Sequence, residues 1–278
     1  MCARAVRAGE APFCKLRGNG PMKKKVFASD FDGTLYFYKA DVKLPPENVA
    51  KIREYQAAGH LFGLCTGRQV GGLTPFITGL VEPDFYITSS GANIVDGRFR
   101  PILKRGVERA VADAIVREML PRGYRLTLDV EGEICVFATM DYPGKYHVIT
   151  GVDDAPRGLI HQVSIHTESL DEAAAVSADI NARYGEYVEA FQNVVEIDIA
   201  PRGCSKGKGV AALLDYMKHQ LGDCVLYGIG DSINDLPLIE ASDVSYTFPY
   251  APEALQRRAT KVVPTIVDAL EDSMNDGR

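Results

Sequence analysis

No stretch of this 278-residue chain is long and apolar enough to span a bilayer, so no transmembrane segment is expected. Basic residues are in deficit: 31 Lys and Arg against 37 Asp and Glu leave a formal net charge of −6. A general nucleic-acid or anionic-membrane binder needs a basic face, so neither partner is expected. A small anionic substrate stays open, because a metal ion and a few lysines can dominate one cleft. There is no Cys-x-x-Cys pair, no Walker A loop and no Gly-x-Gly-x-x-Gly. The six cysteines (Cys2, Cys14, Cys65, Cys135, Cys204 and Cys224) are scattered, as free thiols in a reducing, cytoplasmic setting would be. Residues 1–21 carry Arg, Gly and Pro without an apolar signal core. They read as a disordered leader or a start-site extension, with the fold beginning at Met22.

What is present is a 46% hydrophobic chain, large enough for a substantial core. Strand and helix patterns alternate at first. Val26 to Ser29 reads as a strand, Pro45-Pro46-Glu47 opens a helix running to about Ala58, and further strands are expected at Leu61 to Cys65 and Asp84 to Thr88. That order implies right-handed crossovers and a parallel sheet. The middle third changes style. Asp96-Gly97 and Glu131-Gly132 are hairpin signals, Ser169-Leu170-Asp171-Glu172 is a capping box, and a last hairpin is expected around Gln192-Asn193. Alternation of the first kind returns after Pro201. The expected fold is therefore α/β: a doubly wound parallel-sheet core, residues 22–92 and 199–278, with an α+β domain, residues 93–198, inserted.

The chemistry-bearing residues lie where predicted strands end. Ser29-Asp30-Phe31-Asp32-Gly33-Thr34 follows the first strand. Alternate side chains of extended backbone share a face, so Asp30 and Asp32 are placed together. Two such carboxylates repel, and a divalent cation with an anionic substrate is a natural compensation. The pair suits a nucleophile and a proton donor, although Asp-x-Asp-Gly also occurs in ordinary turns. Gly230-Asp231-Ser232-Ile233-Asn234-Asp235 follows another apolar strand. There Asp231 suits direct Mg²⁺ ligation, and Asp235 either holds the metal's waters or orients a lysine. Thr66, in Thr66-Gly67-Arg68, offers a hydroxyl and nearby N–H groups to a phosphate, or simply caps a helix. Arg68 either contacts phosphate or pairs with a carboxylate. Lys206, at a helix start, adds positive charge to an end already suited to anions, unless it is an ordinary solvated lysine. In open parallel sheets ligands bind at the carboxyl ends of strands, which would bring all these loops to one edge.

In order and spacing these four loops resemble the haloacid dehalogenase superfamily of phosphohydrolases. The resemblance covers nearly the whole chain after Met22. The helix-hairpin pattern inserted between the Thr66 and Lys206 loops resembles the C2-type cap of Cof-like sugar phosphatases, as does Ser89-Ser90-Gly91-Ala92-Asn93 before it. The resemblance implies Asp30 as nucleophile forming an aspartyl-phosphate, and Asp32 as proton donor and then base. Mg²⁺ would bind through Asp30, the carbonyl of Asp32 and Asp231, supported from behind by Asn234 and Asp235. Thr66, Gly67 and Lys206 would hold the phosphoryl group. It implies a Mg²⁺-dependent phosphatase of small phosphorylated metabolites, sugar phosphates first. A phosphomutase and a non-catalytic phospho-ligand-binding protein are the alternatives. Specificity is expected from the cap, with residues 140–153 as candidates. One stretch departs from the pattern: Thr247-Phe248-Pro249-Tyr250-Ala251 stands where relatives carry Met-Gly-Asn-Ala.

Overall fold

The computed structural model describes residues 23–139 and 144–278. The expected leader and part of the 140–153 stretch lie outside the described residues. The chain runs β1 (Lys24–Ser29), α1 (Pro46–Ala57), β2 (Leu61–Cys65), α2 (Val70–Ile77), β3 (Phe85–Thr88), β4 (Asn93–Asp96) and β5 (Pro101–Lys104). It continues through α3 (Arg109–Met119), β6 (Arg125–Val130), β7 (Glu133–Val136), β8 (Tyr146–Val148), β9 (Ile160–His166), α4 (Leu170–Tyr184), β10 (Val188–Asn193) and β11 (Glu196–Pro201). The last part is α5 (Lys206–Leu221), β12 (Cys224–Ile229), α6 (Leu236–Ala241), β13 (Val244–Thr247), α7 (Glu253–Gln256), β14 (Lys261–Val262) and α8 (Ile266–Asn275). No helix among the described residues is long and apolar enough to cross a membrane.

Two sheets result, in the strand orders β14-β13-β12-β1-β2-β3-β4-β5 and β10-β11-β9-β6-β7-β8. The first is parallel from β14 to β3, and its central strand β1 is buried on both faces. On one face Phe27 stacks against Phe62, Tyr227 and Tyr246 at ring separations of 6.0–6.3 Å and meets Tyr55 edge-on. On the other, Val26 and Ala28 share a cluster with Val210, Leu213 and Met217 of α5. Burying one such aromatic contributes roughly 2–3 kcal/mol, so the doubly covered strand anchors the sheet.

Two expectations need correction. Residues 93–104, assigned by pattern to the inserted domain, extend the core sheet as an antiparallel hairpin instead. The reason is packing: Ile94 joins the cluster on one face of that sheet and Val95 the cluster on the other. The last hairpin turns two residues later than expected. Asn193 pairs with Glu196, so Val194 and Val195 form the two-residue loop. Val194 takes the positive φ of 55° that such loops require and β-branched residues disfavour.

The six-stranded sheet packs α3 and α4 against one face through Leu126, Leu128, Val163, Ile165, Ile197 and Ile199. Side chains alternate along strands, so Thr127, Gln162, Ser164 and Asp198 occupy the opposite face. Helix α2 was not foreseen, since Gly71, Gly72 and Pro75 all weaken a helix. It is held by contact: Gly71 N–H donates to the Gly132 carbonyl at 2.9 Å, beneath β7.

Candidate active site

Parallel strands bring their carboxyl ends to one edge, and the loops leaving β1, β2 and β12 meet there with the start of α5. Asp30 is the first residue beyond β1. Its N–H continues the ladder to the Ile229 carbonyl at 3.0 Å, which fixes the side chain at the strand end. Lys206 opens α5 and is only 3% exposed. Its ammonium lies 2.6 Å from Asp30 Oδ1 and 2.5 Å from Asp235 Oδ1. Asp235 is fully buried, and its other oxygen accepts from the N–H groups of Asp231 and Ser232, each at 3.0 Å. Of the two roles open to Asp235, orienting the lysine is the one its contacts match. Asp231 accepts from the Thr34 hydroxyl at 3.1 Å. The backbone at Gly33 turns with φ of +82°, and a Cβ there would run into the Asp231 carboxylate.

Ligand oxygens of Asp30, Asp231 and Asp235 all lie within 4.8 Å of one another. Three carboxylates thus share one ammonium, which touches two of them, leaving an uncompensated formal charge of about −2 in a largely buried cluster. Burial and like charge displace the acid–base equilibria of the group. Burial, and then the Asp235 charge, push Asp30 well above the usual carboxylate range. Burial and Asp235 push Asp231 up to about 6. Burial alone would lower Lys206, but Asp235 and Asp30 outweigh it and hold the ammonium well above its ordinary value. This donor set fits a divalent cation, which takes oxygen ligands and would cancel the surplus.

Not every expected residue joins this cluster. The Asp32 side chain turns away and forms a two-point ion pair with Arg68, Nε to Oδ2 at 2.6 Å and a terminal nitrogen to Oδ1 at 3.0 Å. Asn234 also stands apart, accepting from the Ser232 hydroxyl at 2.5 Å. Thr66 is 1% exposed, and its N–H donates to the Ile87 carbonyl at 2.8 Å. Its hydroxyl oxygen accepts from Arg68 N–H at 3.1 Å, and Gly67 follows it in the same loop.

Sequence reasoning left Arg68 open and missed Tyr250. The Arg68 guanidinium donates to the Gly72 carbonyl at 3.0 Å and the Tyr38 hydroxyl, and lies 5.2–5.8 Å from the rings of Phe31, Tyr38 and Phe76. Tyr250 stacks on Phe248 at 4.9 Å, and its hydroxyl donates to the Gly33 carbonyl at 2.7 Å. The unusual 247–251 stretch was the available signal, but nothing local indicates where its phenol reaches.

The family model for haloacid dehalogenase-like hydrolases matches residues 27–269. The chain belongs to that family. A curated relative, the HMP-PP phosphatase of Citrobacter koseri, is 24% identical over 226 residues, covering 78% of this chain and 81% of that protein. A haloacid dehalogenase-like hydrolase from Bacteroides thetaiotaomicron superposes with a TM-score of 0.76 at 17% identity, covering 90% of this chain and 100% of the other. A sugar phosphatase of the family's subclass IIB gives 0.74 at 18% identity, covering 90% and 99%. The Cof-like haloacid dehalogenase assignment and the phosphatase class read from the motifs agree with these relatives.

Proposed function

We propose that this haloacid dehalogenase-like enzyme is a Mg²⁺-dependent phosphomonoesterase of small phosphorylated metabolites, sugar phosphates first among them. The observation that carries the reading is the cluster of three carboxylates, two buried and one half-buried, that shares one lysine and is short of positive charge. The sugar phosphatase and HMP-PP phosphatase named above support the substrate class. The division into a core and an inserted unit belongs to the same proposal, with the unit's sheet as the cover over the leaving group.

Asp30 and Asp231 would hold the cation together with the Asp32 carbonyl. When bound, the ion neutralises charge and orients the phosphoryl group. Asp30 attacks phosphorus, forming an Asp30–phosphorus bond as the bond to the leaving oxygen breaks. Asp32 gives that oxygen its proton, then takes one from the water that hydrolyses the aspartyl-phosphate. Lys206 and Thr66 hold the phosphoryl oxygens in line, where a loose transition state gains most from charge and positioning. The cap would hinge near 91–93 and 199–203.

The test is phosphate release from p-nitrophenyl phosphate and from a panel of phosphorylated metabolites, with Mg²⁺ and with EDTA. Release that needs Mg²⁺ and vanishes in Asp30→Asn supports the reading. Phosphate appearing on a second sugar rather than free identifies a mutase. Ligand binding without turnover of any ester identifies a binding protein.

A further inference from the structure

The loop that carries Thr66 is gripped from the inserted unit. Gln162 of β9 is 2% exposed. Its amide nitrogen faces three acceptors: the Gly67 carbonyl at 2.9 Å, Asp198 Oδ1 at 2.8 Å and the Ser164 hydroxyl at 2.9 Å. Asp198 of β11 is itself 5% exposed, and Ser164 donates to it at 3.2 Å. The Asp198 carboxylate fills the space a side chain at 67 would need, since a Cβ on Gly67 would overlap its Oδ2. The orientation of the amide is set by its surroundings, because turning it over would aim its oxygen at the Gly67 carbonyl and the Asp198 carboxylate, which only accept. That oxygen is buried without a partner among the described residues, a cost kept only for a reason.

The consequence passes through one peptide plane. The Gly67 carbonyl and the Arg68 N–H belong to the same planar unit and point in opposite directions. Holding the carbonyl therefore aims the N–H, which donates to Thr66 Oγ1 at 3.1 Å. A threonine hydroxyl has one proton and two lone pairs. With one lone pair engaged by Arg68 N–H, the Thr66 hydroxyl keeps its proton for another acceptor. We propose that Gln162, braced by Asp198, is a positioning residue that sets the Thr66 hydroxyl to donate to a phosphoryl oxygen. The inserted unit then controls phosphate binding through the loop, in addition to covering the leaving group. This rests on Thr66 being a phosphate contact, as proposed above.

A merely structural bond between the two units would act regardless of Thr66, so a double-mutant cycle separates the cases. The probe is inorganic phosphate, titrated calorimetrically into the full-length protein with Mg²⁺. Gln162→Met keeps the length and removes the donors; it should weaken phosphate binding about five- to tenfold. On a Thr66→Val background the same change should alter binding less than about twofold. Ser164→Ala, milder for folding, should give a smaller weakening that also disappears without the Thr66 hydroxyl. It decides the matter if near-ultraviolet circular dichroism shows Gln162→Met misfolded. Unchanged binding in both variants, or equal losses with and without the hydroxyl, overturns the proposal, as does a wild type that binds no phosphate. A protein that binds phosphate and obeys the cycle, yet releases none from p-nitrophenyl phosphate, leaves this inference standing and removes the phosphatase reading.

Discussion

Arg68 grips both oxygens of Asp32, at 2.6 and 3.0 Å, and is itself boxed in by Phe31, Tyr38 and Phe76. The arginine of the Thr66 loop thus meets the proposed proton carrier rather than the lysine–acid cluster. A planar fork meeting a carboxylate at two points fixes orientation as well as charge. Arg68→Ala should lower kcat roughly tenfold, a fraction of the about 10²–10⁴-fold that positioned proton transfer supplies, while inhibition by inorganic phosphate stays within about twofold. Arg68→Lys should resemble the alanine, since a point charge does not reproduce the fork. Loss of phosphate inhibition in step with kcat would instead assign Arg68 to the phosphoryl group.

The two aspartates of the first motif should separate in kinetics. Asp30→Asn should cost roughly three or more orders of magnitude in kcat, because it removes the proposed nucleophile. Asp32→Ala should reduce turnover strongly with little change in phosphate binding. Steady-state kinetics with phosphate as product inhibitor reads both, and an unchanged rate in Asp32→Ala would show that it is not the proton shuttle.

Stability should respond to pH and Mg²⁺ together. Burial, then Asp235, raises Asp231 to about 6, and burial, then Glu196, raises Asp198 to about 7. For a carboxyl whose folded value lies above its unfolded one, the folded state binds the extra proton. Stability is then greatest in acid and declines as pH climbs from about 4 through these folded values, with a loss on the order of a few kcal/mol. Metal-free protein should accordingly melt lower at pH 8 than at pH 5.5. Mg²⁺ should recover the Asp231 part at pH 8 and do little at pH 5, and Asp198→Asn should flatten the slope. Differential scanning calorimetry without and with Mg²⁺ measures this; a Tm rising with pH would contradict the charge surplus.

Tyr250 fastens Gly33, whose backbone presses against Asp231. Tyr250→Phe preserves the stack on Phe248 and removes the hydroxyl. The bond lies at an exposed site, so global stability should fall by no more than about 1 kcal/mol. The concentration of Mg²⁺ giving half-maximal thermal stabilisation should nevertheless rise about two- to fivefold, because the turn carrying the Asp32 carbonyl loosens. Equal Mg²⁺ response in variant and wild type would confine Tyr250 to packing.

Much of this molecule is legible in its amino-acid sequence. Apolar strands ending in Asp30, Thr66 and Gly230-Asp231 depend on neighbours a few residues apart. Period-two alternation put Asp32 with Asp30, but Arg68 draws the Asp32 carboxylate to itself. Local chemistry fails where the deciding partner is distant. Ile94 and Val95 carry the 93–104 hairpin into the core sheet because both faces there are apolar. A Gly- and Pro-rich stretch becomes α2 through a bond to Gly132.

The sequence by itself determined which residue types sit at the ends of which strands, since backbone propensity and side-chain period act over short spans. Only the tertiary structure decided whom they meet: Lys206 between Asp30 and Asp235, Arg68 on Asp32, Gln162 on Gly67. Those pairings join residues from 29 to 176 positions apart. Chain crossovers and the packing of two sheets bring such residues together, and no local preference encodes that.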